Sequence, residues 1–443
     1  MRAAVAPSVS SPTAAIVGMG YVGLPTALAL LNAGTIVIGI DNSHHRLRLI
    51  ETGDVDLTDA DHERLAAWQG DPRFLLTTDT RRIADADVVL VCVPTPVDEH
   101  QVPDLQPLAG ACRAIVAAAV PGQLIVLTST SYVGSTRDLL VKPLEASGFT
   151  VGEDIHVAFS PERIDPGNQR YAQADVPRVI GGTTPLCSRL AADVISRISP
   201  VHIVSSPEAA EMTKLLENIY RAVNIALVNE IADASDELGL DIHEVVEAAA
   251  TKPFGFTPFR PGIGVGGHCI ACDPHYLLWQ MRARRTGMPL IEQAMASITA
   301  RPGRVVDMAI TALAETGVPV RRARILVVGL AYKPGVSDVR ESPAIEIIER
   351  LTAMGAGVDV FDPHVREARA GEDVIRSIEH PDPDDYDIAI VATLHPDVDY
   401  RWLAAFGGRV VDPSGRSREH RGGPFLSAVA SPDDVVTVGD VKP

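Results

Sequence analysis

Short apolar runs alternate with amphipathic stretches along most of the chain, the pattern of strands buried on both faces and separated by helices. Ala14-Ala-Ile-Val-Gly-Met-Gly20 is a strand-like run ending in glycines. Pro25-Thr-Ala-Leu-Ala-Leu-Leu-Asn-Ala-Gly34 is helix-like and closed by Gly34, and Thr35-Ile-Val-Ile-Gly-Ile-Asp41 is strand-like again. Further strand-like runs at 87–93, 124–128 and 155–159, with helical segments between them, predict an open, mainly parallel α/β sheet. This first domain is expected to span 14–205, after a loose tail at 1–13.

From Ser206-Pro207-Glu208 the pattern changes to one long helix reaching about residue 238, with serine as N-cap, proline at the first helical position and Gly239 at the stop. A second helical stretch at 241–250 extends this central region, expected at 206–320. Past Arg321-Arg322 the chain returns to α/β. Arg324-Ile-Leu-Val-Val-Gly-Leu330 is followed by a helix around 343–354, the strand Gly357-Val-Asp-Val-Phe-Asp362, and later strands at 386–393 and 409–412. The order strand, glycine, helix, strand, aspartate thus occurs twice. The predicted fold is α/β, with two Rossmann-like doubly wound domains joined by a central helical domain, the last spanning 321–443. The chain beyond about residue 416 is polar and without a pattern.

Composition narrows the function classes. The 443 residues are 46% hydrophobic and 22% charged, an ordinary folded composition. Lys plus Arg number 39 against 57 Asp plus Glu, a net charge of −18, which leaves no broad cationic field for nucleic acid or an anionic membrane surface. A small anionic ligand needs only a few placed cations and stays open. Five cysteines are an odd and sparse set, so a reducing, cytoplasmic location is expected. The first residues have an apolar run broken by Pro7, unlike a secretory leader, and the apolar stretch at 109–133 is interrupted by Arg113 and Pro121-Gly122, unlike a membrane span.

Three segments carry candidate chemistry. Gly18-Met-Gly-Tyr-Val-Gly23 fits G-x-G-x-x-G between a strand and a helix, and Asp41 closes the next strand 18 residues after Gly23. Glycines admit a pyrophosphate to the helix N-terminus, and the carboxylate can accept ribose hydroxyls, which favours NAD over NADP. A glycine turn that merely packs helix on strand is the alternative. Arg46 could stack on adenine or reach a phosphate, or be a plain surface arginine. Lys214 and Asn218 share one helix face and could hold the oxygen and water of a reacting carbon; read alone, a solvated pair is the favoured account, because most helical lysines are surface residues. Pro261-Gly-Ile-Gly-Val-Gly-Gly-His-Cys-Ile-Ala-Cys-Asp-Pro274 sets glycines before Cys269, with Asp273 four residues on. A thiolate beside an acid/base group is a covalent catalyst, while Cys269-Ile-Ala-Cys272 also fits a redox pair, half a zinc site with His268 or His275, or inert buried thiols.

Taken together these residues resemble the UDP-glucose/GDP-mannose dehydrogenase family along nearly the whole chain. The matching segments are Gly18-Met-Gly-Tyr-Val-Gly-Leu24, Val93-Pro-Thr-Pro96, Ser129-Thr130, Ser160-Pro-Glu-Arg-Ile-Asp-Pro-Gly167, Glu211-Met-Thr-Lys-Leu-Leu-Glu-Asn218, Gly264-Val-Gly-Gly-His-Cys-Ile270, Ala331-Tyr-Lys-Pro334 and Asp338-Val-Arg-Glu-Ser-Pro343. The resemblance implies an NAD domain, a central dimer-forming helical region and a nucleotide-sugar domain, with four-electron oxidation of a sugar C6 alcohol to a carboxylate and no metal. It implies Cys269 as the nucleophile carrying a thiohemiacetal and then a thioester. Lys214 would stabilise oxyanions, Asn218 and Thr130 position the oxygen and a water, Asp273 take part in proton transfer, and Glu162 assist thioester hydrolysis.

The implied cofactor positions are Gly18, Gly20, Tyr21, Val22, Gly23, Asp41, Arg46, Thr95, Thr130 and Arg340. Those for a UDP-sugar are Glu162, Arg163, Lys214, Asn218, Arg260, Gly266, Gly267, Tyr332 and Lys333, with Lys252 an alternative to Arg260 at the diphosphate. The Ser-Pro-Glu-Arg and Gly-Gly-His-Cys segments resemble the branch that oxidises UDP-N-acetylhexosamines. The Ala-Thr-Lys-Pro-Phe-Gly-Phe run at 250–256 points to the gluco epimer, with UDP-glucose and UDP-N-acetylmannosamine as alternatives. Cys272 and Val411-Asp-Pro-Ser-Gly415 depart from the family pattern. A two-electron dehydrogenase of the 6-phosphogluconate or 3-hydroxyacyl type and a non-catalytic NAD-binding sensor are the competing functions.

Overall fold

The computed structural model describes residues 12–55, 57, 59–98, 100–163, 173–371 and 373–418; most of the expected N-terminal tail, the end of the Ser160–Gly167 motif and the C-terminal tail lie outside these. The chain divides into two compact units. One comprises residues up to Glu217 with His275–Thr286, the other Asn218–Pro274 with the residues from Gly287 onward.

The first unit is built on β1 (Thr13–Val17), α1 (Gly23–Asn32), β2 (Ile36–Ile40), α2 (His44–Thr52), α3 (Asp59–Trp68), β3 (Phe74–Thr77), β4 (Val88–Val91) and α4 (Gln106–Ala118). It continues through β5 (Leu124–Leu127), α5 (Lys142–Ala146), β6 (His156–Phe159), β7 (Arg178–Gly182), α6 (Pro185–Ile195) and β8 (Val201–Val204). The eight strands form one sheet in the order β3-β2-β1-β4-β5-β6-β7-β8, parallel except for the antiparallel pair β6–β7. Alternation along each strand divides the core. Ala14, Ile16, Val88 and Leu90 pack with α1 and α6 on one face, and Ala15, Val17, Val89 and Val91 with α4 on the other. The strand order reverses between β1 and β4, the place where such sheets open a ligand crevice at the strands' C-terminal ends.

Helix α7 (Pro207–Glu237) begins where Ser206 Oγ accepts the Ala209 N–H at 3.2 Å and ends before Gly239, whose φ of +68° stops the helix. The second unit adds α8 (Ile242–Ala250), α9 (His268–Ala283, which runs on into the first unit) and α10 (Pro289–Thr316). Its sheet takes β9 (Arg324–Val328), α11 (Pro343–Ala353) and β10 (Gly357–Phe361), then a hairpin of β11 (Glu367–Ala370) and β12 (Asp373–Arg376), then β13 (Ile388–Val391) and β14 (Val410–Val411). The order β10-β9-β13-β14 is wholly parallel, so the second glycine-and-aspartate repeat is a Rossmann-like unit as the sequence predicts. No helix among the described residues is long and apolar enough to cross a membrane.

Candidate active site

The glycine loop lies between β1 and α1, at the strand-order reversal. Gly18 takes a φ of +94°, and a Cβ there would stand 2.5 Å from the Cys92 carbonyl at the end of β4. A Cβ on Gly23 would fall 1.8 Å from the Gly18 carbonyl, so both glycines are required by backbone packing. Gly20 differs: a Cβ on it would meet no described atom within 4 Å, and Tyr21 beside it is exposed. Gly20 therefore serves approach from outside. Val22 precedes α1 and its carbonyl accepts the Thr26 hydroxyl at 2.8 Å.

Asp41, at the end of β2, holds this loop in shape. One carboxylate oxygen accepts the Met19 N–H and the other the Ser43 N–H, each at 2.9 Å. Arg46 Nε donates to the Met19 carbonyl at 2.8 Å, while its buried Nη2 has no hydrogen-bond partner among the described residues. An orphaned guanidinium donor, a strand-end carboxylate and an open Gly20 at a helix N-terminus suit a dinucleotide. Thr95 and Thr130, both half-buried, lie on the loops after β4 and β5 at the same end of the sheet. Ser129 ties those loops together by donating to the carbonyls of Val91 (3.2 Å) and Val93 (2.8 Å).

Glu162 follows β6 and is buried. Its Oε1 accepts the Arg163 N–H at 2.8 Å and its Oε2 meets Arg178 Nη1 at 2.5 Å. The Arg163 guanidinium is engaged with Glu217 (2.7 Å) and the Pro177 carbonyl (2.5 Å). Lys214 on α7 is buried, as is Asn218 one turn later, so the solvated reading of this pair fails. One turn before Lys214, buried Glu211 accepts the backbone N–H groups of Gly134 and Thr136 and the hydroxyls of Ser135 and Thr136. Burial pushes its carboxyl above the ordinary range, and those hydrogen bonds oppose the rise without cancelling it.

In the second unit, Cys269 is the second residue of α9 and is exposed, with Asp273 one turn on and buried. Asn218 Nδ2 donates to Asp273 Oδ2 at 2.5 Å, joining α7 to the helix that carries the cysteine. The other four cysteines are buried, and burial pushes Cys92 and Cys112 up to about 12. The described side chains that cluster closely enough to ligate a cation are His364, His395 and Asp397, not the Cys269–Cys272 segment. His395 Nδ1 there accepts the Gly335 N–H at 3.1 Å, and its Nε2 lies 3.2 Å from Asp362 Oδ1.

The substrate-side glycines pack on the segments the sequence paired with them. Gly267 N–H donates to the Arg340 carbonyl at 3.0 Å, and a Cβ on Gly266 would stand 2.6 Å from Tyr332 Cβ. Lys333 Nζ lies 5.9 Å from the Tyr332 ring centroid. Asp338 grips the Arg340 guanidinium through Nε (2.9 Å) and Nη2 (2.5 Å). Arg260 is 3.6 Å from Glu247, and Lys252 lies over the Phe254 ring. Sequence reasoning missed the frame behind Ala331–Gly335: Asp362 accepts the N–H groups of Leu330 (2.6 Å) and Ala331 (2.9 Å), and Thr393 Oγ1 donates to the Ala331 carbonyl (2.6 Å). It also missed Arg178 and Glu211. Asp362 carried a signal as the aspartate closing the second repeat, and Glu211 as the first residue of the Glu211–Asn218 segment.

Three family models cover most of the chain: the UDP-glucose/GDP-mannose dehydrogenase NAD binding domain at 13–199, the central domain at 208–297 and the UDP binding domain at 326–413. The chain belongs to the UDP-glucose/GDP-mannose dehydrogenase family. A UDP-N-acetyl-D-glucosamine 6-dehydrogenase of Pseudomonas aeruginosa is 34% identical over 385 residues, 86% of this chain and 90% of that protein. A UDP-N-acetyl-D-mannosamine dehydrogenase of Escherichia coli K12 is 34% identical over 373 residues, 81% and 87% respectively. The solved UDP-D-ManNAc dehydrogenase of Pyrococcus horikoshii superposes with a TM-score of 0.79 at 30% identity, covering 90% of this chain and 93% of that one. As a member of the UDP-glucose/GDP-mannose dehydrogenase family the chain is an NAD-dependent oxidoreductase acting on a UDP-sugar, and the sensor reading is set aside.

Proposed function

We propose that the protein oxidises the C6 hydroxyl of UDP-N-acetylglucosamine to the uronate, consuming two NAD and one water per turnover. The observation that carries this reading is the pairing of Asn218 with Asp273 one helical turn from an exposed Cys269. A thiol beside a hydrogen-bonded carboxylate on a helix N-terminal turn is suited to covalent capture of an aldehyde. The epimer rests on the 250–256 run, since relatives named for the gluco and manno substrates are equally similar.

Bound NAD supplies the hydride acceptor. Lys214 places a buried cation where the C6 oxygen becomes an alkoxide, and Thr130 and Asn218 orient that oxygen. The Cys269 thiolate adds to the aldehyde carbon, and the resulting thiohemiacetal loses a second hydride to become a thioester. Asp273 shuttles the protons of addition and release. Water activated by Glu162 then breaks the C–S bond, leaving the carboxylate and the free thiolate. In sum, an alcohol, a water and two NAD give a carboxylate, two NADH and three protons.

The active form is a homodimer closed through α7. Tyr220, Leu227 and Ile231 are exposed and recur at steps of seven and four residues, the interval that keeps side chains on one helix face. A self-complementary stripe of this kind suits a second copy related by a twofold axis.

The test is a substrate panel with pure enzyme and NAD. UDP-N-acetylglucosamine should give two NADH per uronate and exceed the manno and galacto epimers and UDP-glucose in kcat/KM. One NADH with free aldehyde would overturn the four-electron course, and a preference for another sugar would overturn the epimer.

A further inference from the structure

We infer that Arg178 is a positioning residue for Glu162, holding its carboxylate aimed so that the thioester is hydrolysed. The inference rests on the proposed role of Glu162 at that step. Arg178 is the first residue of β7 and is 1% exposed, among the largest fully buried side chains of the chain. A cation so placed is tolerated only with a close counter-charge. Its Nη1 meets Glu162 Oε2 at 2.5 Å and its Nη2 donates to the Ser160 carbonyl at 3.1 Å, so one guanidinium fixes both the carboxylate and the backbone two residues before it. Arg163 closes the other side: its N–H donates to Glu162 Oε1, and its side chain is anchored on Glu217 and on the carbonyl of Pro177, the residue next to Arg178.

One detail separates this arrangement from simple packing. Arg178 Nε is buried with no hydrogen-bond partner among the described residues. An apolar side chain of similar volume would avoid both the orphaned donor and the desolvated charge. The guanidinium is retained where its one distinctive service is to Glu162. Hydrolysis forms a C–O bond from water, breaks the C–S bond to Cys269 and needs an acceptor for the water proton. An ionised carboxylate is that acceptor and a protonated one is not. The Arg178 contact fixes where that carboxylate points, and each of its oxygens can accept more than one hydrogen bond.

The experiment compares wild type, Arg178→Lys, Arg178→Met, Glu162→Gln and the double variant Arg178→Met/Glu162→Gln by rapid mixing with UDP-N-acetylglucosamine and NAD. Arg178→Met and Glu162→Gln should each keep a burst approaching two NADH per Cys269 while steady-state turnover falls about 100-fold. Intact mass of the quenched variants should show the uronyl adduct on Cys269. Arg178→Lys should recover turnover to within about tenfold of wild type. Should Arg178→Met not fold, the double variant, with both charges removed, should fold and match Glu162→Gln. A burst that shrinks in proportion to turnover, with no adduct, would reduce Arg178 to a structural role and overturn the inference. Slow turnover in Glu162→Gln with normal turnover in Arg178→Met would overturn it too. Normal turnover in Glu162→Gln would instead overturn the reading of Glu162 on which it rests.

Discussion

The Asn218 amide and the Asp273 carboxylate are locked together at 2.5 Å, both side chains buried. One N–H of the amide is thereby committed to Asp273, and the second N–H and the carbonyl are left to meet other groups. Asn218→Asp would set two carboxylates against each other, and one would have to take a proton. kcat is expected to fall about 100-fold or more with KM for NAD changed by less than about threefold. Steady-state kinetics in both substrates checks this; a KM for NAD rising in step with the loss of kcat would contradict it.

Asp41 serves the glycine loop and the proposed ribose contact at once. Asp41→Asn turns an amide toward the N–H of Met19 or Ser43, at a cost of about 1–3 kcal/mol. KM for NAD should rise about 10- to 100-fold with kcat at saturation near wild type, and discrimination against NADP should narrow. Kinetics with the two cofactors decides.

Cys269 should be the thiol that reacts. Cys92 and Cys112 are pushed up to about 12 by burial, and Cys187 and Cys272 are buried. Near neutral pH, one equivalent of iodoacetamide should label Cys269 and abolish turnover in proportion. Peptide mapping that places the label elsewhere at equal inactivation would refute this.

The pH dependence of stability has a component traceable to Asp362. Burial alone would raise this carboxyl, but His395 and the backbone N–H groups of Ala331 and Leu330 overcome that and hold it below its ordinary 3.8. A folded pKa below the unfolded one adds stability above about pH 3.8 that is lost as pH falls through the folded value. Asp362→Asn should therefore be less stable at neutral pH by about 1–3 kcal/mol, the gap closing in acid. Urea unfolding across that range measures it, and a gap independent of pH would count against the assignment.

The α7 stripe predicts assembly. Leu227→Glu with Ile231→Glu should halve the mass seen by sedimentation while far-ultraviolet circular dichroism stays unchanged. A wild-type monomer would disprove the proposed dimer at once.

Strands β1, β2, β4, β5, β6, β9, β10, β13 and β14 were readable in the sequence, most of them as apolar runs. The others were not, for physical reasons. β3 and β8 lie at the sheet's edges, where half-exposed positions such as Leu75, His202 and Ile203 break the run. β7 begins with a buried arginine and ends in two glycines, which reads as a loop. α10 contains Pro302-Gly303, a breaker pair that nevertheless sits inside a 28-residue helix. Among site residues, the spacing of Lys214 and Asn218 was legible but their burial was not, because burial depends on what packs over α7. Arg178 and Thr393 gave no signal because each acts through a partner distant in sequence. Recognition of the ordered motifs supplied roles that spacing alone left open.

The two aspartates that close the corresponding strands differ in one respect with a kinetic consequence. Asp41 is half-buried beside an open glycine, whereas the Asp362 side chain is wholly enclosed under His395. Of these two carboxylates, the exposed edge of Asp41 is the one that suits the proposed ribose contact. In the proposed four-electron course, two NAD would pass in succession through the site beside Asp41, so NADH would have to leave and be replaced while the half-oxidised sugar stays in place. Turnover becomes a matter of traffic as well as chemistry, and NADH should inhibit most strongly by occupying that site between the two oxidations.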